Sequence, residues 1–285
     1  MIRTPQPDPR LSFPGSLVST ALVRVDGLVK RYGAFAAVDG VAFTFAPGEV
    51  FGLLGPNGAG KSTTIKVLTT LLRPDDGFAE VGGHDVVRDP GAVRELIGYV
   101  PQALSVDGAL TGYENLSVMA RLTNVPRSLR RARIGEVLEL LDLGEASNRR
   151  ASTYSGGLIR RLEIGQAILH RPRLLILDEP TVGLDPVARR KVWDHLAALR
   201  RETDLGLLLT THYMEEAEAL CDTIAIMNRG RITAQGSLDE LRQQADAPQA
   251  SLDELFARFA ASTPVPEEGR WKEARNARRT ARRLG

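Results

Sequence analysis

The sequence predicts an α/β fold with a mainly parallel sheet core, an antiparallel β subdomain and a helical insert. Three short apolar runs, at 50–54, 174–177 and 207–210, are typical of parallel strands that are buried on both faces. Helical patterns separate these runs along the chain of 285 residues. Strands that alternate with helices in this way form three-layer sheets with right-handed crossovers.

The sequence of residues 1–45 predicts a leader followed by a β layer. Residues 1–20 contain four prolines and no apolar core long enough for a secretory signal, so we expect a disordered leader. From Leu22 to Phe45, apolar residues predict strands separated by turns at Tyr32-Gly33 and Asp39-Gly40. These strands form the expected antiparallel subdomain.

The composition restricts the classes of function. One cysteine in the chain excludes an intramolecular disulfide, and a formal net charge of +2 gives no field that indicates a nucleic-acid partner. The sequence holds no apolar run of about 18 residues or more, which a membrane helix needs. Any membrane role therefore requires a partner protein.

A glycine-rich stretch, G-P-N-G-A-G-K-S-T, follows the first apolar strand. It matches the P-loop pattern G-x-x-x-x-G-K-[ST], whose backbone N–H groups surround phosphate oxygens. A bare tight turn is the alternative, but the complete G-K-S and the preceding strand favour a phosphate site. The predicted nucleotide-binding residues of this stretch are Gly55, Pro56, Asn57, Gly58, Ala59, Gly60, Lys61, Ser62 and Thr63.

Each chemical role in the P-loop has a physical reason. Gly55, Gly58 and Gly60 are expected to adopt positive φ angles. A helix from Lys61 to Leu72 would add its N-terminal N–H groups and positive dipole end. Lys61 is predicted to contact the β and γ phosphates of ATP, and the Ser62 hydroxyl to ligate Mg²⁺.

Shorter elements complete the predicted pattern. We expect strands at 78–81, 97–100 and 222–227, and helices at 113–122, 129–143 and 214–220. A hairpin-like turn is predicted at Asn228-Arg229-Gly230.

Two further groups follow buried strands. The run at 174–177 ends in Asp178 and Glu179, and the run at 207–210 ends in Thr211-His212. Because ligands bind at the carboxyl ends of parallel strands, these side chains are predicted to lie beside the P-loop.

Five segments together resemble the nucleotide-binding subunit of ABC transporters. They are the P-loop at 55–62, Gln102 after Tyr-Val-Pro, the Tyr-Ser-Gly-Gly motif at 154–157, the strand with its acids at 174–179, and His212 in T-T-H-Y-M-E-E-A. The motif E-P-T-V-G-L-D-P at 179–186 is similar to that of the drug and antibiotic exporter branch, of daunorubicin-resistance type. The implied organisation is an ABC ATPase domain at 21–245, with a helical insert at about 103–170, and a helical, basic tail at 246–285.

The resemblance implies roles for the residues at the strand ends. Asp178 would hold Mg²⁺ opposite Ser62, and Glu179 would orient and polarise the attacking water. His212 would contact the γ-phosphate as a catalytic switch residue. Gln102 would sense Mg²⁺ and couple the site to the helical insert.

The resemblance also implies a second copy of the chain. Ser155, Gly156 and Gly157 would cap the γ-phosphate of ATP held by the other subunit, and Asp185 would lie at the same interface. Tyr32 would stack on adenine. ATP would thus be hydrolysed in a head-to-tail ATP-sandwich homodimer.

One residue departs from the family pattern. Leu158 stands where the common signature has Gln and the exporter branch often has Met. An apolar side chain at this position cannot hydrogen-bond the ribose or neighbouring polar groups. Since the serine and glycines of the motif are intact, we expect ATP-driven dimerisation to be retained, with altered affinity.

The function implied is that of an ATPase subunit that powers export of a drug-like or other small molecule. It would act through a separate ABC-2 type transmembrane permease, as a peripheral protein on the cytoplasmic face of the membrane, with no nucleic-acid partner. The alternatives are a soluble ABC-type ATPase acting on ribosomes or DNA, and a small-molecule P-loop kinase, which leaves the Ser-Gly-Gly motif unexplained. The basic tail is either a solvated end or a contact with anionic lipid or the partner. Its cationic residues are Arg270, Lys272, Arg275, Arg278, Arg279, Arg282 and Arg283.

Overall fold

The computed structural model describes residues 21–202 and 204–261. The expected leader and the cationic residues of the tail lie outside the described residues. Within the described part, the strands are β1 (Val23–Tyr32), β2 (Phe35–Phe45), β3 (Val50–Leu54), β4 (Asp76–Val81), β5 (His84–Asp85), β6 (Ile97–Val100), β7 (Leu174–Asp178), β8 (Gly206–Thr211), β9 (Thr223–Asn228) and β10 (Arg231–Gly236). The helices are α1 (Lys61–Leu68), α2 (Pro90–Leu96), α3 (Gly112–Leu122), α4 (Arg130–Leu140), α5 (Gly156–Ile168), α6 (Pro186–Glu202), α7 (Met214–Leu220), α8 (Leu238–Gln244) and α9 (Leu252–Ala261).

The central sheet has the strand order β10-β9-β3-β8-β7-β6. Every neighbouring pair is parallel except β9 with β10, so the predicted mainly parallel core is confirmed. The paired register places Leu54 of β3 opposite Thr211 of β8, and Asp178 of β7 opposite Thr210. The carboxyl ends of these three strands therefore meet at one edge of the sheet.

The continuous apolar runs follow from burial on both faces. In β7, Leu174 and Ile176 pack into a core shared with the antiparallel sheet and α1. Leu175 and Leu177, on the other face, pack into a second core with α3, α4, α5 and α6. Side chains in a strand point alternately to opposite faces, so neither face of this strand needs polar residues.

The antiparallel sheet has the order β2-β1-β4-β5, and it corrects one predicted turn. β2 runs straight through Asp39-Gly40, where we expected a reversal of the chain. Leu28 pairs with Val41 and Val29 pairs with Asp39, which leaves Gly40 unpaired with φ +76°. The dipeptide therefore forms a β-bulge, for which a left-handed glycine is suited.

The predicted helices at 113–122 and 214–220 are confirmed, whereas α4 ends at Leu140, three residues before the predicted end at 143, and α1 also ends early. That helix stops at Leu68, four residues before the predicted Leu72, and Thr70 adopts φ +62°. The insert helices α3 and α4 pack on α5, and a capping box of Thr111 and Glu114 starts α3. Among the described residues, no helix is both long and apolar enough to cross a membrane.

Candidate active site

The phosphate loop joins β3 to α1 at the carboxyl edge of the parallel sheet. Gly58 and Gly60 adopt φ +84° and +110°, as predicted. Gly55 is not among the residues with positive φ, so that expectation was wrong. A Cβ atom on Gly55 would collide with the carbonyl oxygen of Met227, which shows that glycine is required there for close approach of two backbones.

The last hairpin of the sheet supports this loop. The turn between β9 and β10 lies at the predicted position, and its Gly230 N–H donates to the Ala59 carbonyl at 2.8 Å. The Gly230 carbonyl in turn accepts from the Asp39 N–H at 2.8 Å. The phosphate loop is thus held from outside by a strand pair that lies late in the sequence.

Lys61 is buried inside its own loop. Its ammonium donates to the Gly55 carbonyl at 2.6 Å and to the Pro56 carbonyl at 3.4 Å. Burial lowers the pKa of Lys61, while the nearby charges of Glu179 and Asp178 oppose that shift. The ammonium is therefore poorly hydrated and available to an anionic ligand that enters the loop.

Thr210, near the end of β8, holds Asp178 at the end of β7 and Glu179, which follows it. Its hydroxyl donates to Asp178 Oδ1 at 2.7 Å and accepts from the Glu179 N–H at 3.0 Å. The Thr210 carbonyl accepts from the same N–H at 3.0 Å. Glu179 has φ +50°, a conformation that costs a residue with a side chain about 1–3 kcal/mol. These contacts turn Glu179 away from the strand and hold it there.

The Glu179 carboxylate brings together three of the predicted residues. Oε1 lies 3.7 Å from the Lys61 ammonium. Oε2 accepts from the Gln102 amide at 3.2 Å and lies 3.4 Å from His212 Nδ1. Three residues from three separate segments of the sequence thus converge on the carboxylate of a fourth, as the shared edge of parallel strands predicts.

The Ser-Gly-Gly motif lies at the start of α5. Ser155 is the N-cap of this helix, and its hydroxyl accepts from the Leu158 N–H at 3.4 Å. Asp185 caps α6 by accepting from the Ala188 N–H at 2.9 Å, and a Cβ on Gly157 would lie 3.0 Å from Ala188 Cβ. In the described part of the chain, no hydrogen bond or ion pair joins Ser155 or Asp185 to the Glu179 cluster.

Two charged residues of α5 hold the loop that carries Gln102. Arg160 donates to the Pro101 carbonyl at 2.9 Å, and Glu163 accepts from the Ser105 N–H at 2.6 Å. Arg160 and Glu163 are both buried and form an ion pair at 3.0 Å. Motif reasoning missed this link, because a charged pair three residues apart on a helix is usually solvent-exposed.

Tyr32 stands apart from this cluster at the end of β1. It is the last residue of β1, pairs with Phe35 across the predicted turn and is 51% exposed. An exposed aromatic ring of this kind is free to stack on a planar base.

The donor set fits a nucleotide with Mg²⁺. Ser62 is exposed at the start of α1, and Asp178 lies at the end of β7. A hydroxyl and a carboxylate are the hard oxygen ligands that Mg²⁺ takes. The buried ammonium of Lys61 and the left-handed glycines of the loop match the anionic phosphates.

Leu158 is half-buried and packs against the core beneath the helical insert. We therefore expect Leu158→Gln to lower the free energy of unfolding by about 1 kcal/mol and to change ATP turnover less than twofold. Urea unfolding and a steady-state ATPase assay measure the two effects. Leu158→Met, which conserves volume, is the control. A turnover that rises fivefold or more in the Gln variant would show that the leucine impairs the motif.

Comparison with known proteins agrees with the family resemblance found in the sequence. The family model described as ABC transporter matches residues 38–182. The daunorubicin/doxorubicin resistance ATP-binding protein of Streptomyces peucetius is 49% identical over 225 residues, which are 78% of this chain and 67% of that protein. The linearmycin resistance ATP-binding protein of Bacillus subtilis is 40% identical over 220 residues, covering 77% and 70% of the two chains.

Solved structures support the fold independently of the motifs. The ATP-binding subunit of an ABC transporter has a TM-score of 0.75 at 32% identity and covers 84% of this chain and 99% of that chain. A nucleotide-free ATP-binding cassette has a TM-score of 0.71 at 25% identity, with 83% and 98% covered.

Proposed function

Because the chain belongs to the ABC transporter family, as an ATP-binding subunit with ATPase activity, we propose that it powers export of a drug-like small molecule through a separate membrane permease. The observation that carries the catalytic part is the convergence of Lys61, Gln102 and His212 on the Glu179 carboxylate. The similarity to daunorubicin, doxorubicin and linearmycin resistance proteins supports the class of substrate.

In this proposal, the phosphate loop binds ATP and Lys61 moves its contacts from the loop carbonyls to the β and γ phosphates. Bound Mg²⁺ would neutralise phosphate charge, held by Ser62 and Asp178 with Gln102 nearby. Once Lys61 faces the phosphates, Glu179 loses its cationic neighbour and can polarise the attacking water. His212, which already faces Glu179, contacts the γ-phosphate.

A second copy completes the site. Since Ser155 and Asp185 form no hydrogen bond or ion pair with the Glu179 cluster in the described chain, their proposed roles require another subunit. The N-terminus of α5, a helix of 13 residues, presents a positive dipole end and first-turn N–H groups that have no partner within the helix, of which Ser155 caps the one of Leu158. In a head-to-tail dimer, Ser155, Gly156 and Gly157 would cap the γ-phosphate bound by the partner. Tyr32 would stack on adenine in each subunit.

A groove where the helical insert meets α2 and β6 is a suitable docking surface for the permease. This groove of about 450 Å³ lies between α2 and β6 on one side and α3 and α5 on the other. Leu122, at the end of α3, lines this groove and is 71% exposed. Leu104, in the loop that carries Gln102, is 64% exposed. Exposed apolar side chains beside a groove are typical of protein interfaces. We place an ABC-2 type permease there, with the chain on the cytoplasmic face of the membrane.

Charge insertion in the groove tests this partner. With the chain and its permease expressed together, Leu122→Glu is expected to reduce the membrane-bound fraction at least fivefold, because a carboxylate would be buried at the interface. Leu129→Glu is the matched control, since this exposed leucine of the same insert does not line the groove. Binding of a fluorescent ATP analogue should be unchanged in both variants. Sedimentation of the wild type with ribosomes or DNA instead of membranes would overturn the proposal.

A further inference from the structure

A buried acid lies beneath the proposed site and has no role in the chemistry described so far. Glu216 is in the first turn of α7, and its side chain is fully buried. Its Oε1 accepts from the Thr181 hydroxyl at 2.8 Å and from the Trp193 indole N–H at 2.9 Å. One oxygen atom thus joins three segments: the loop that follows Glu179, the helix α6 and the helix α7.

The first of these contacts fixes the backbone next to the proposed catalytic acid. Thr181 follows Glu179 by two residues and is itself fully buried. On its N-terminal side, Glu179 is held by Thr210 through the two bonds to its N–H. On its C-terminal side, the bond between Thr181 and Glu216 is the side-chain anchor. The strained backbone of Glu179 is therefore held at both ends.

Glu216 is also close in the chain to His212, the proposed switch histidine. α7 starts at Met214, directly after His212-Tyr213, so Glu216 follows His212 by four residues. The Thr211 hydroxyl accepts from the Tyr213 N–H at 3.0 Å, which fixes the turn into the helix. A shift of α7 relative to the loop after Glu179 would change the 3.4 Å separation between His212 Nδ1 and Glu179 Oε2.

The buried carboxyl group of Glu216 lowers the stability of the folded protein. Glu216 Oε2 has no hydrogen-bond partner within the described part, although the Thr211 hydroxyl is near enough to favour the ionised form. Burial raises the pKa of Glu216, and this shift is opposed only in part, first by hydrogen bonding from Thr211, Thr181 and Trp193 and then by the Arg189 guanidinium, which stacks on the Tyr213 ring at 4.0 Å. Buried acids with incomplete hydrogen bonding destabilise a protein relative to apolar residues.

We propose that Glu216 is a positioning residue for ATP hydrolysis, which holds the loop after Glu179 against the helix after His212. The inference rests on the proposed roles of those two residues. The competing explanation is that Glu216 only fastens α6 to α7 through Trp193. The two explanations differ in which of the two hydrogen bonds matters for turnover.

The test removes each bond separately in the full chain. Thr181→Val deletes the hydroxyl with little change in volume, and Trp193→Phe deletes the indole N–H. For Thr181→Val we expect kcat to fall at least tenfold, while KM for ATP and binding of a fluorescent ATP analogue change less than twofold. Thr181→Ser, which keeps the hydroxyl, should recover kcat to within threefold of wild type. For Trp193→Phe, kcat should also stay within threefold of wild type, even if its melting temperature falls as much as that of Thr181→Val.

A double-mutant cycle gives a second route that does not depend on one substitution. Glu216→Ala removes the same bond from the α7 side, so the double variant with Thr181→Val should lose no more kcat than the worse single variant. Wild-type kcat in Thr181→Val with normal ATP binding would overturn this inference alone. Equal losses of kcat in Thr181→Val and Trp193→Phe would also overturn it, in favour of the fastening role. Failure of the wild type to bind ATP would overturn the proposed site and this inference with it.

Discussion

Glu179→Gln is expected to lower ATP turnover at least 100-fold and to accumulate an ATP-bound dimer. The amide keeps the shape of the side chain and its hydrogen bond with Gln102, so ATP and the second subunit still bind. It cannot polarise water as a carboxylate does, and loss of a general base costs about 10²–10⁴ in rate. Steady-state ATPase assays and the molecular mass in solution, with and without Mg-ATP, measure the two effects.

The matched control is Glu139→Gln, which removes an exposed carboxylate on α4. It should turn over ATP like the wild type and show no accumulated dimer. A Glu179→Gln variant that keeps wild-type turnover would assign the water-activating role to another residue. If the variant stops turnover but stays monomeric in Mg-ATP, the sandwich mechanism is contradicted instead.

Lys61→Met is expected to weaken ATP binding about 100-fold or more. A hydrogen bond to a charged group contributes about 1.5–3 kcal/mol, and Lys61 would supply such bonds to two phosphates. Methionine has a similar length and suits a buried position, and burial already disfavours the ammonium of Lys61. The free energy of unfolding should therefore fall by only about 1 kcal/mol, which lowers the melting temperature by a few degrees. Titration with a fluorescent ATP analogue measures the affinity.

Lys66→Met is the control for this variant. Lys66 lies on the same helix, about 1.4 turns further on, but is exposed. Its replacement should leave affinity within twofold of wild type. Equal losses in the two variants would indicate a general electrostatic effect and contradict a specific contact by Lys61.

The parts of the fold that the sequence predicts well are those with one physical solution. The run at 174–177 is apolar at every position and the run at 207–210 has three leucines before Thr210, and a short strand covered on both faces buries all of these residues. Asp39-Gly40 was mispredicted because a left-handed glycine serves a turn and a bulge equally well. The end of α1 was mispredicted because Leu71 and Leu72 continue the apolar pattern after the helix has stopped.

The candidate site shows a similar division. Motifs located Lys61, Gln102, Glu179 and His212, and sheet topology brought them to one edge, where the structure has them in contact. Their chemical roles stay predictions that the variants above test. No pattern could identify Glu216 as buried, because it lies in a short helix beside Glu215, which is exposed. The direction of a single side chain depends on packing that residue types alone do not encode.

The hairpin that supports the phosphate loop has a consequence for how the protein is made. β3 pairs on either side with β8 and β9, and its Val50 N–H donates to Asp222, 172 residues later in the chain. Gly230, which holds Ala59, is synthesised later still. A chain growing on the ribosome therefore exposes an unsupported P-loop until almost the whole ATPase domain has emerged. ATP can stabilise the folded domain only at that late stage. We therefore expect that nascent chains that end before the β9–β10 hairpin do not bind ATP.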